Sequence, residues 1–325
     1  MNTPPLEVPD ERLASALGAG WGLAVGSLVY RPVGFGSHHW ELVDRGGRRW
    51  FVTVDDLRTK LHAPGEPLDR AYGRLRASLA TAVALRAHGL DFVVAPVPTV
   101  EGAPLSRVGS RFAVALYGFV DGRSFSWGEF GAGGHRQSVL DMVVALHGAP
   151  PAAGELAAVD DLRVPGRADL EAALAGDVPD GGPYARPMRD LLAARPGQVR
   201  DMLARYDALA AEADPARAVL THGEPHPGNT MRTPDGWRLI DWDTVLRAAP
   251  ERDLWHLDPG DGSILAAYAE ATGVAPRPRM VELFRLRWEV ADLAAAASRF
   301  RAPHAGDADD DATWEILAAL EGAAP

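Results

Sequence analysis

Apolar and polar positions change rhythm as the chain proceeds. Over the first hundred or so residues, "GLAVGSLVYRPV" (22–33), "HHWELVD" (38–44) and "RRWFVTV" (48–54) concentrate Val, Tyr, Phe and Trp between glycine-bearing turns. That is the pattern of antiparallel strands. From Leu68 to His88 the apolar residues recur at helical spacing, "GLDFVVAPVPT" (89–99) returns to strand character, and "SRFAVALYGFV" (110–120) reads as another strand closed by "DGRSFSW". Strands with one helix predict a small α+β lobe.

Beyond it the text turns helical. "HRQSVLDMVVALHGAP" (135–150), "RADLEAALAG" (167–176), "PMRDLLAAR" (187–195) and "VRDMLARYDALAAEA" (199–213) carry amphipathic spacing punctuated by Pro and Gly. "RAVL" (217–220) and "GWRLID" (236–241) then flank "THGEPHPGN" as strand, loop, strand. Helices resume at "GSILAAYAEATG", "RMVELFRLRWEVADLAAAASRF" and "DATWEILAALEG", with "HAGDADDDAT" between the last two read as an exposed acidic loop.

Composition narrows the function. A chain of 325 residues with 47% hydrophobic content can bury a core of two modest lobes. Net charge is -11, so a nucleic-acid partner held by phosphate neutralisation is not expected, whereas a cationic small substrate is accommodated. No cysteine is present, which removes disulfides, thiolate metal sites and cysteine nucleophiles. The acidic, proline-bearing start "MNTPPLEVPDERL" lacks the form of a signal peptide, and no stretch is apolar enough to span a bilayer, so a cytoplasmic protein without a membrane partner is expected. Oligomeric state is not legible. Lys60 is the only lysine in the chain.

Three chemistries are open to the loop at 222–229. His222 and His226 are four apart with Glu224 between them, but a zinc-protease pair needs a helix, which Pro225, Pro227 and Gly228 forbid. A hydrolase triad lacks both a serine in a nucleophile elbow and a cysteine. Phosphoryl transfer requires a carboxylate beside the attacking hydroxyl, plus an amide oxygen and a second carboxylate for magnesium. Glu224, Asn229 and Asp241 supply those types in that order.

"HGEPHPGN" followed by "LIDWDTVLRAAPERDLWHL" resembles the aminoglycoside phosphotransferase family, the antibiotic-kinase branch of the protein-kinase-like fold, and most of all its spectinomycin-type members. The family pattern is His-Gly-Asp, four residues, Asn, then an apolar strand ending Ile-Asp. Here His222-Gly223-Glu224, Asn229 and Ile240-Asp241 carry it. The resemblance implies a nucleotide-binding lobe over 1–116 and a helical catalytic and substrate lobe over 117–325. It implies ATP and Mg²⁺ as cofactors and a small-molecule substrate, cationic or polyhydroxylated, as for an aminoglycoside; choline or a sugar is an alternative. Glu224 takes the place of the catalytic base, Asn229 and Asp241 of the metal ligands. The backbone from Leu116 through Tyr117 and Gly118 to Phe119 is implied to take the adenine, and Gly34 and Gly36 to lie over the phosphates. Acids near the loop, Glu251, Asp258, Glu289 and Asp292, are substrate candidates. His222 is expected to brace the loop, Asp243 either to reach metal through water or to cap a turn, and Asp253 to be an N-cap. The tryptophans at 127, 237, 242, 255 and 288 are expected in the core.

Two departures from the family pattern bear on activity. Glu224 replaces the usual aspartate, which keeps the charge and lengthens the arm by one methylene. Thr53 stands where the strand should carry the phosphate-binding lysine, and the helix at 68–88 has no glutamate to partner one. Lys60 lies past the predicted strand end. Arg70, Arg74 or Arg76 must then reach the phosphates, or ATP binds weakly, or the fold serves as a catalytically inactive binding protein.

Overall fold

The computed structural model describes residues 1–34 and 36–319. Helix α1 (Asp10–Trp21) precedes strands β1 (Val25–Arg31), β2 (His38–Asp44) and β3 (Arg49–Asp56); α2 (Leu68–Ala87) follows, then β4 (Ser106–Val108) and β5 (Phe112–Gly118). These five strands form one antiparallel sheet in the order β1-β2-β3-β5-β4.

Period-two alternation assigns the two faces of that sheet. Trp40 and Leu42 of β2, Trp50, Val52 and Val54 of β3, and Phe112, Val114 and Leu116 of β5 pack with Leu13 and Leu17 of α1. Ala113 and Ala115, the intervening residues of β5, turn to Leu75 and Leu79 of α2. Two helices therefore clamp the sheet, where one was expected. The missed helix, α1, has its signal in plain view: Pro9 before an acidic first turn, then Leu13 and Leu17 four apart and fully buried. The segment 89–99, expected as a strand, is extended but makes only a bridge from Val93 to Leu239, because its prolines remove ladder donors.

After β6 (Arg123–Ser124) come helices α3 (His135–His147), α4 (Arg167–Leu174), α5 (Ala185–Ala194) and α6 (Pro196–Ala210). Strands β7 (Val219–Thr221), β8 (Thr230–Thr233), β9 (Gly236–Leu239) and β10 (Leu246–Ala248) precede α7 (Glu251–Leu257), α8 (Ser263–Thr272), α9 (Pro278–Arg301) and α10 (Ala308–Ala318). The two strands expected to flank the loop belong to different sheets: β7 pairs with β10, while β8 and β9 form a hairpin joined by β6. One helical core gathers α4, α5, α6, α9 and α10. The other is built on α3 with α7 and α8, and takes in Ala82 and Leu85 from the far end of α2, so α2 packs on both lobes. The last three residues of the helix expected through 322 lie outside the described residues.

The acidic run before α10 is not an exposed loop. Asp307 caps α10 in a capping box, Asp310 is buried against Arg299, and Asp309 receives the side-chain amide of Asn2 at 2.8 Å. A string of aspartates read as solvated is in fact the folded start of a helix, where its dipole favours negative charge. Among the described residues no helix is long and apolar enough to cross a membrane.

Candidate active site

The loop after β7 is held from beneath by one carboxylate. Asp253, fully buried in α7, accepts the backbone N–H of His222 (2.9 Å) and of Gly223 (2.6 Å), and meets His147 Nε2 at 3.1 Å. Burial opposes its charge, but the bond to His147 and the nearby Arg252 guanidinium hold its pKa below the ordinary aspartate value. Because α7 begins at Glu251, Asp253 lies inside the helix and caps nothing there; its hydrogen bonds go to the loop, which corrects the N-cap expectation. Gly223 has φ +102°, and a Cβ at that position would collide with the Arg252 guanidinium, so only glycine fits.

Within the loop each group fixes the next. His222 is buried and neutral, its pKa lowered by burial; Nδ1 accepts the Glu224 N–H (3.2 Å), and Nε2 donates to the Ile240 carbonyl (2.9 Å). It braces, as expected. Pro227 starts a short 3₁₀ turn through Asn229, whose Nδ2 donates to the Glu224 carbonyl at 3.0 Å and to His226 Nε2 at 3.3 Å. Both bonds use the amide nitrogen and none the amide oxygen. The Ile240 N–H donates to the Asn229 carbonyl (2.9 Å), carrying the chain directly to Asp241. Glu224 and Asn229 thus belong to one hydrogen-bonded unit that also fixes Ile240, the residue before Asp241.

Asp241 sits at φ +67°, a left-handed conformation that is rare for a residue other than glycine. Its carboxyl opens to the cleft yet has protein on most sides. That partial burial, then the charges of Asp243 and Glu224, raise its pKa well above the aspartate range, with Lys60 opposing. Asp243 shows the reverse: burial notwithstanding, the Lys60 ammonium at 2.6 Å lowers it. Asp243 is therefore an ion-pair partner and not a turn cap. Lys60 also lies 3.2 Å from Asp55 Oδ1, and these two acids raise its pKa above the lysine value against the effect of burial.

The residues expected to meet the nucleotide lie on the β1–β2 connection, on β3 and on β5. Gly34 and Gly36 both have positive φ in the β1–β2 connection, whose central residue, Phe35, lies outside the described residues. A Cβ built on Gly36 would lie 3.8 Å from Lys60 Nζ, so this turn passes close to the ammonium. Thr53 shares a side-chain hydrogen bond with the Tyr117 hydroxyl and pairs across the sheet with Ala115. The Leu116 carbonyl already accepts the Val97 N–H at 2.7 Å; Gly118 pairs with Trp50, and the Phe119 N–H reaches the Arg49 carbonyl at 3.4 Å. None of the three α2 arginines stands beside the acids. Arg74 is engaged with Glu66 at 2.5 Å, and Arg70 and Arg76 are exposed.

On the other side of Glu224 the tryptophans depart from expectation. Only Trp242 is a fully buried core residue; Trp127 is 60% exposed, and it stacks on Trp288 of α9 at 6.3 Å between ring centroids. Trp255 and His256 of α7 also pack on Trp288, at 5.7 and 5.2 Å, and His226 of the loop meets both Trp127 and Trp288. His256 is pushed down to about 3 by burial first and then by His226, so it is neutral; its ring meets the Gly223 carbonyl at 3.1 Å. Asp292, one turn along α9 from Trp288, is raised to about 6 by burial and by the charges of Glu224 and Glu289. Asp292 is therefore an electrostatic neighbour of Glu224, and Glu289 of Asp292. Glu251 is not a substrate group: it is fully buried, accepting Arg217 Nη2 at 3.0 Å and the Arg277 N–H at 2.7 Å. Asp258 receives the Gly260 N–H at 3.1 Å and shapes the turn after α7.

A divalent cation fits this donor set. No three His, Asp or Glu side chains converge as a ready-made cage among the described residues. Magnesium does not need one, since it takes one or two carboxylates and completes its octahedron with phosphate oxygens and water. Asp241 and the Asn229 amide oxygen are hard oxygen donors of that kind.

Comparison with known proteins agrees with this geometry. The chain is 34% identical over 253 residues to Protein StrN of Streptomyces griseus, spanning 72% of each chain. A spectinomycin phosphotransferase solved with ADP and spectinomycin matches with TM-score 0.69 over 96% of this chain and 93% of that one, at 14% identity. A macrolide 2'-phosphotransferase from Brachybacterium faecium matches with TM-score 0.53 over 98% and 100%, at 19% identity. The sheet clamped by helices, the helical lobe and the braced His-Gly-Glu loop are those of a two-lobed protein-kinase-like fold. With residues 29–284 matching the phosphotransferase enzyme family, the chain belongs to that family and is an enzyme of phosphoryl transfer to an alcohol group.

Proposed function

We propose that the protein is an ATP- and Mg²⁺-dependent kinase that phosphorylates a hydroxyl on a small, cationic, polyhydroxylated molecule of the aminoglycoside type. The observation that carries this reading is the hydrogen-bonded unit that joins Glu224 to Asn229 and Asn229 to Ile240, so that Asp241, next in the chain, feels the charge of Glu224. Glu224 polarises or deprotonates the acceptor hydroxyl, its carboxyl about 31% exposed toward the cleft. Asn229 and Asp241 would hold magnesium, which when bound screens the phosphate charge during in-line transfer. The backbone from Leu116 to Phe119 takes the adenine, and the Gly34–Gly36 turn covers the phosphates. Such an enzyme works where ATP is available, in the cytoplasm.

The substrate class rests on what surrounds Glu224. Three indoles and two carboxylates line one side: the rings of Trp127, Trp255 and Trp288 offer faces to a cation or a sugar ring, and Glu289 and Asp292 offer charge. Cation–π contacts of this kind add about 0.5–2 kcal/mol each. Spectinomycin, the ligand of the similar solved structure, suits the same chemistry.

An ADP-release assay over a panel of aminoglycosides, aminocyclitols and neutral polyols tests the proposal. Turnover is expected with cationic members, abolished by a chelator and by Glu224→Gln. Absence of turnover across the panel, together with no rise in melting temperature at millimolar ATP and Mg²⁺, would end it.

A further inference from the structure

The strand position that should supply a cation to the phosphates holds Thr53, and the Lys60 ammonium nevertheless stands among the acids Asp55 and Asp243. We propose that Lys60, carried back into the cleft by the turn after β3, is the phosphate-binding residue of the nucleotide site, with Asp55 as the carboxylate that positions it. This rests on the ATP-dependent reading above.

Several independent contacts build the placement. The turn is fixed by Asp56, which accepts Arg111 Nε at 2.9 Å and the Arg58 N–H at 3.0 Å, while the Thr59 N–H closes on the Asp56 carbonyl at 3.0 Å. Arg74 then holds the far side: its Nη2 donates to the Lys60 carbonyl at 2.8 Å, and Glu66 clamps the same guanidinium at 2.5 and 2.9 Å. With its backbone held from both sides, Lys60 extends to Asp243 and to Asp55 Oδ1, the oxygen that also accepts the Ser37 hydroxyl at 2.7 Å. Ser37 follows Gly36, so the strand acid, the glycine turn and the ammonium form one cluster. Asp55 is on β3 itself, two residues past Thr53 on the same face. Carboxylate and ammonium have in effect exchanged places: the strand supplies the acid and the following turn the lysine.

Charge supports the assignment over a purely structural clamp. Asp55, Asp241, Asp243 and Glu224 would present four carboxylates to a triphosphate, and Lys60 is the one cation that contacts any of them among the described residues on the nucleotide side. An ion-pair cluster that only stabilised the fold could be replaced as a whole, lysine and acids together, by apolar packing at little cost.

The chain has a single lysine, and peptide mapping separates its label from that of the one other nearby amine, the Met1 α-amine, which donates to the Gly34 carbonyl at 2.6 Å. The probe is an acyl-phosphate derivative of ATP, whose mixed anhydride is attacked by an amine close to the phosphates, forming an amide and releasing ATP. Peptide mapping of the wild-type protein is expected to find acylation at Lys60, slowed about tenfold or more by MgATP. In calorimetry Lys60→Met should weaken MgATP binding about 10- to 100-fold, the loss of one charge-assisted contact, and Thr53→Lys in that background should recover most of it. MgATP binding to the wild type without protectable labelling at Lys60, or binding by Lys60→Met within about twofold of wild type, overturns the assignment and leaves the kinase reading standing. No MgATP binding by the wild type overturns both.

Discussion

The loop at 222–229 and the turn at 57–60 approach the same group of acids and are built on opposite plans. In the loop every functional group is set by its own neighbourhood: His222 holds the Glu224 amide, Asn229 holds the Glu224 carbonyl, and Asp253 secures two successive N–H groups from below. In the turn the functional group is a long side chain whose destination depends on residues scattered from Ser37 to Asp243. The first plan gives rigidity and a motif; the second lets a charge migrate along the chain while its position in space is kept. Groups set by backbone geometry can be read from a local motif, and a group set only by where its charge ends up cannot.

Breaking the loop should have the largest effect. Glu224→Gln is expected to lower kcat about 10²- to 10⁴-fold, the usual contribution of a positioned base, with MgATP affinity and melting temperature little changed. Asp241→Asn should instead remove magnesium-dependent nucleotide binding, measured by calorimetry with and without the metal. If both variants turned over like wild type, the loop would be scaffolding and the contrast with the turn would vanish.

The next effect falls on stability. Asp253→Ala leaves the N–H groups of His222 and Gly223 without their acceptor and His147 without its carboxylate, all in the interior. A loss of about 3–5 kcal/mol in urea unfolding is expected, the cost of breaking a buried hydrogen-bonded charge. A result under about 1 kcal/mol would mean that the loop is held chiefly by His222 and the prolines.

The same contrast explains what the sequence discloses. Most of the strand-helix order, α1 and the segment 89–99 excepted, follows from alternation and helical spacing, and the Glu224-Asn229-Asp241 trio is picked out by the chemistry of one motif. Asp253 was visible as a residue in "ERDLWHL" but its role was not, since a carboxylate in the first turn of a helix reads as a cap until the loop packed beneath it is known. Lys60 posed the harder problem. Strand periodicity ends at Asp56, and no local rule says that the next turn doubles back toward Asp243, nearly two hundred residues on. The signal available was subtraction: one lysine in the chain and one ammonium needed. The tryptophans misled for a related reason, because a buried core and a solvent-facing aromatic cluster have the same composition; what separates Trp127 from Trp242 is exposure, a tertiary property.

The substrate side offers a smaller, pH-dependent effect. Asp292 titrates near an aspartate's ordinary 3.8 in the unfolded chain and at about 6 in the folded protein. The folded state then holds the proton longer, so stability falls as pH rises from about 4 to about 6, and the cost persists at neutral pH. Asp292→Asn should therefore be more stable than wild type at pH 7, on the order of 1–2 kcal/mol after solvent screening, with the advantage gone near pH 4. The same change should raise KM for a cationic acceptor about tenfold and leave that for a neutral polyol unchanged. Equal effects on both acceptors would separate Asp292 from substrate binding.

The smallest expected effect is the most specific to the turn. Arg74 touches neither acid of the cleft; it fixes the Lys60 carbonyl and is itself fixed by Glu66, with about a third of its side chain exposed. As a partly solvated pair it contributes little to global stability, about 0.5–1 kcal/mol. Its role is to limit where the Lys60 backbone can go, so Arg74→Ala should cost MgATP affinity about two- to fivefold while kcat at saturating nucleotide stays near wild type. Arg74→Lys, which keeps the charge but not the forked geometry, should fall with the alanine variant, because the guanidinium bridges a carboxylate and a carbonyl at once. If lysine restored full affinity, long-range charge and not the bracing of the turn would be what Arg74 supplies. The migration of the ammonium from strand to turn would then need no support from α2, and Asp55 alone would have to account for its placement.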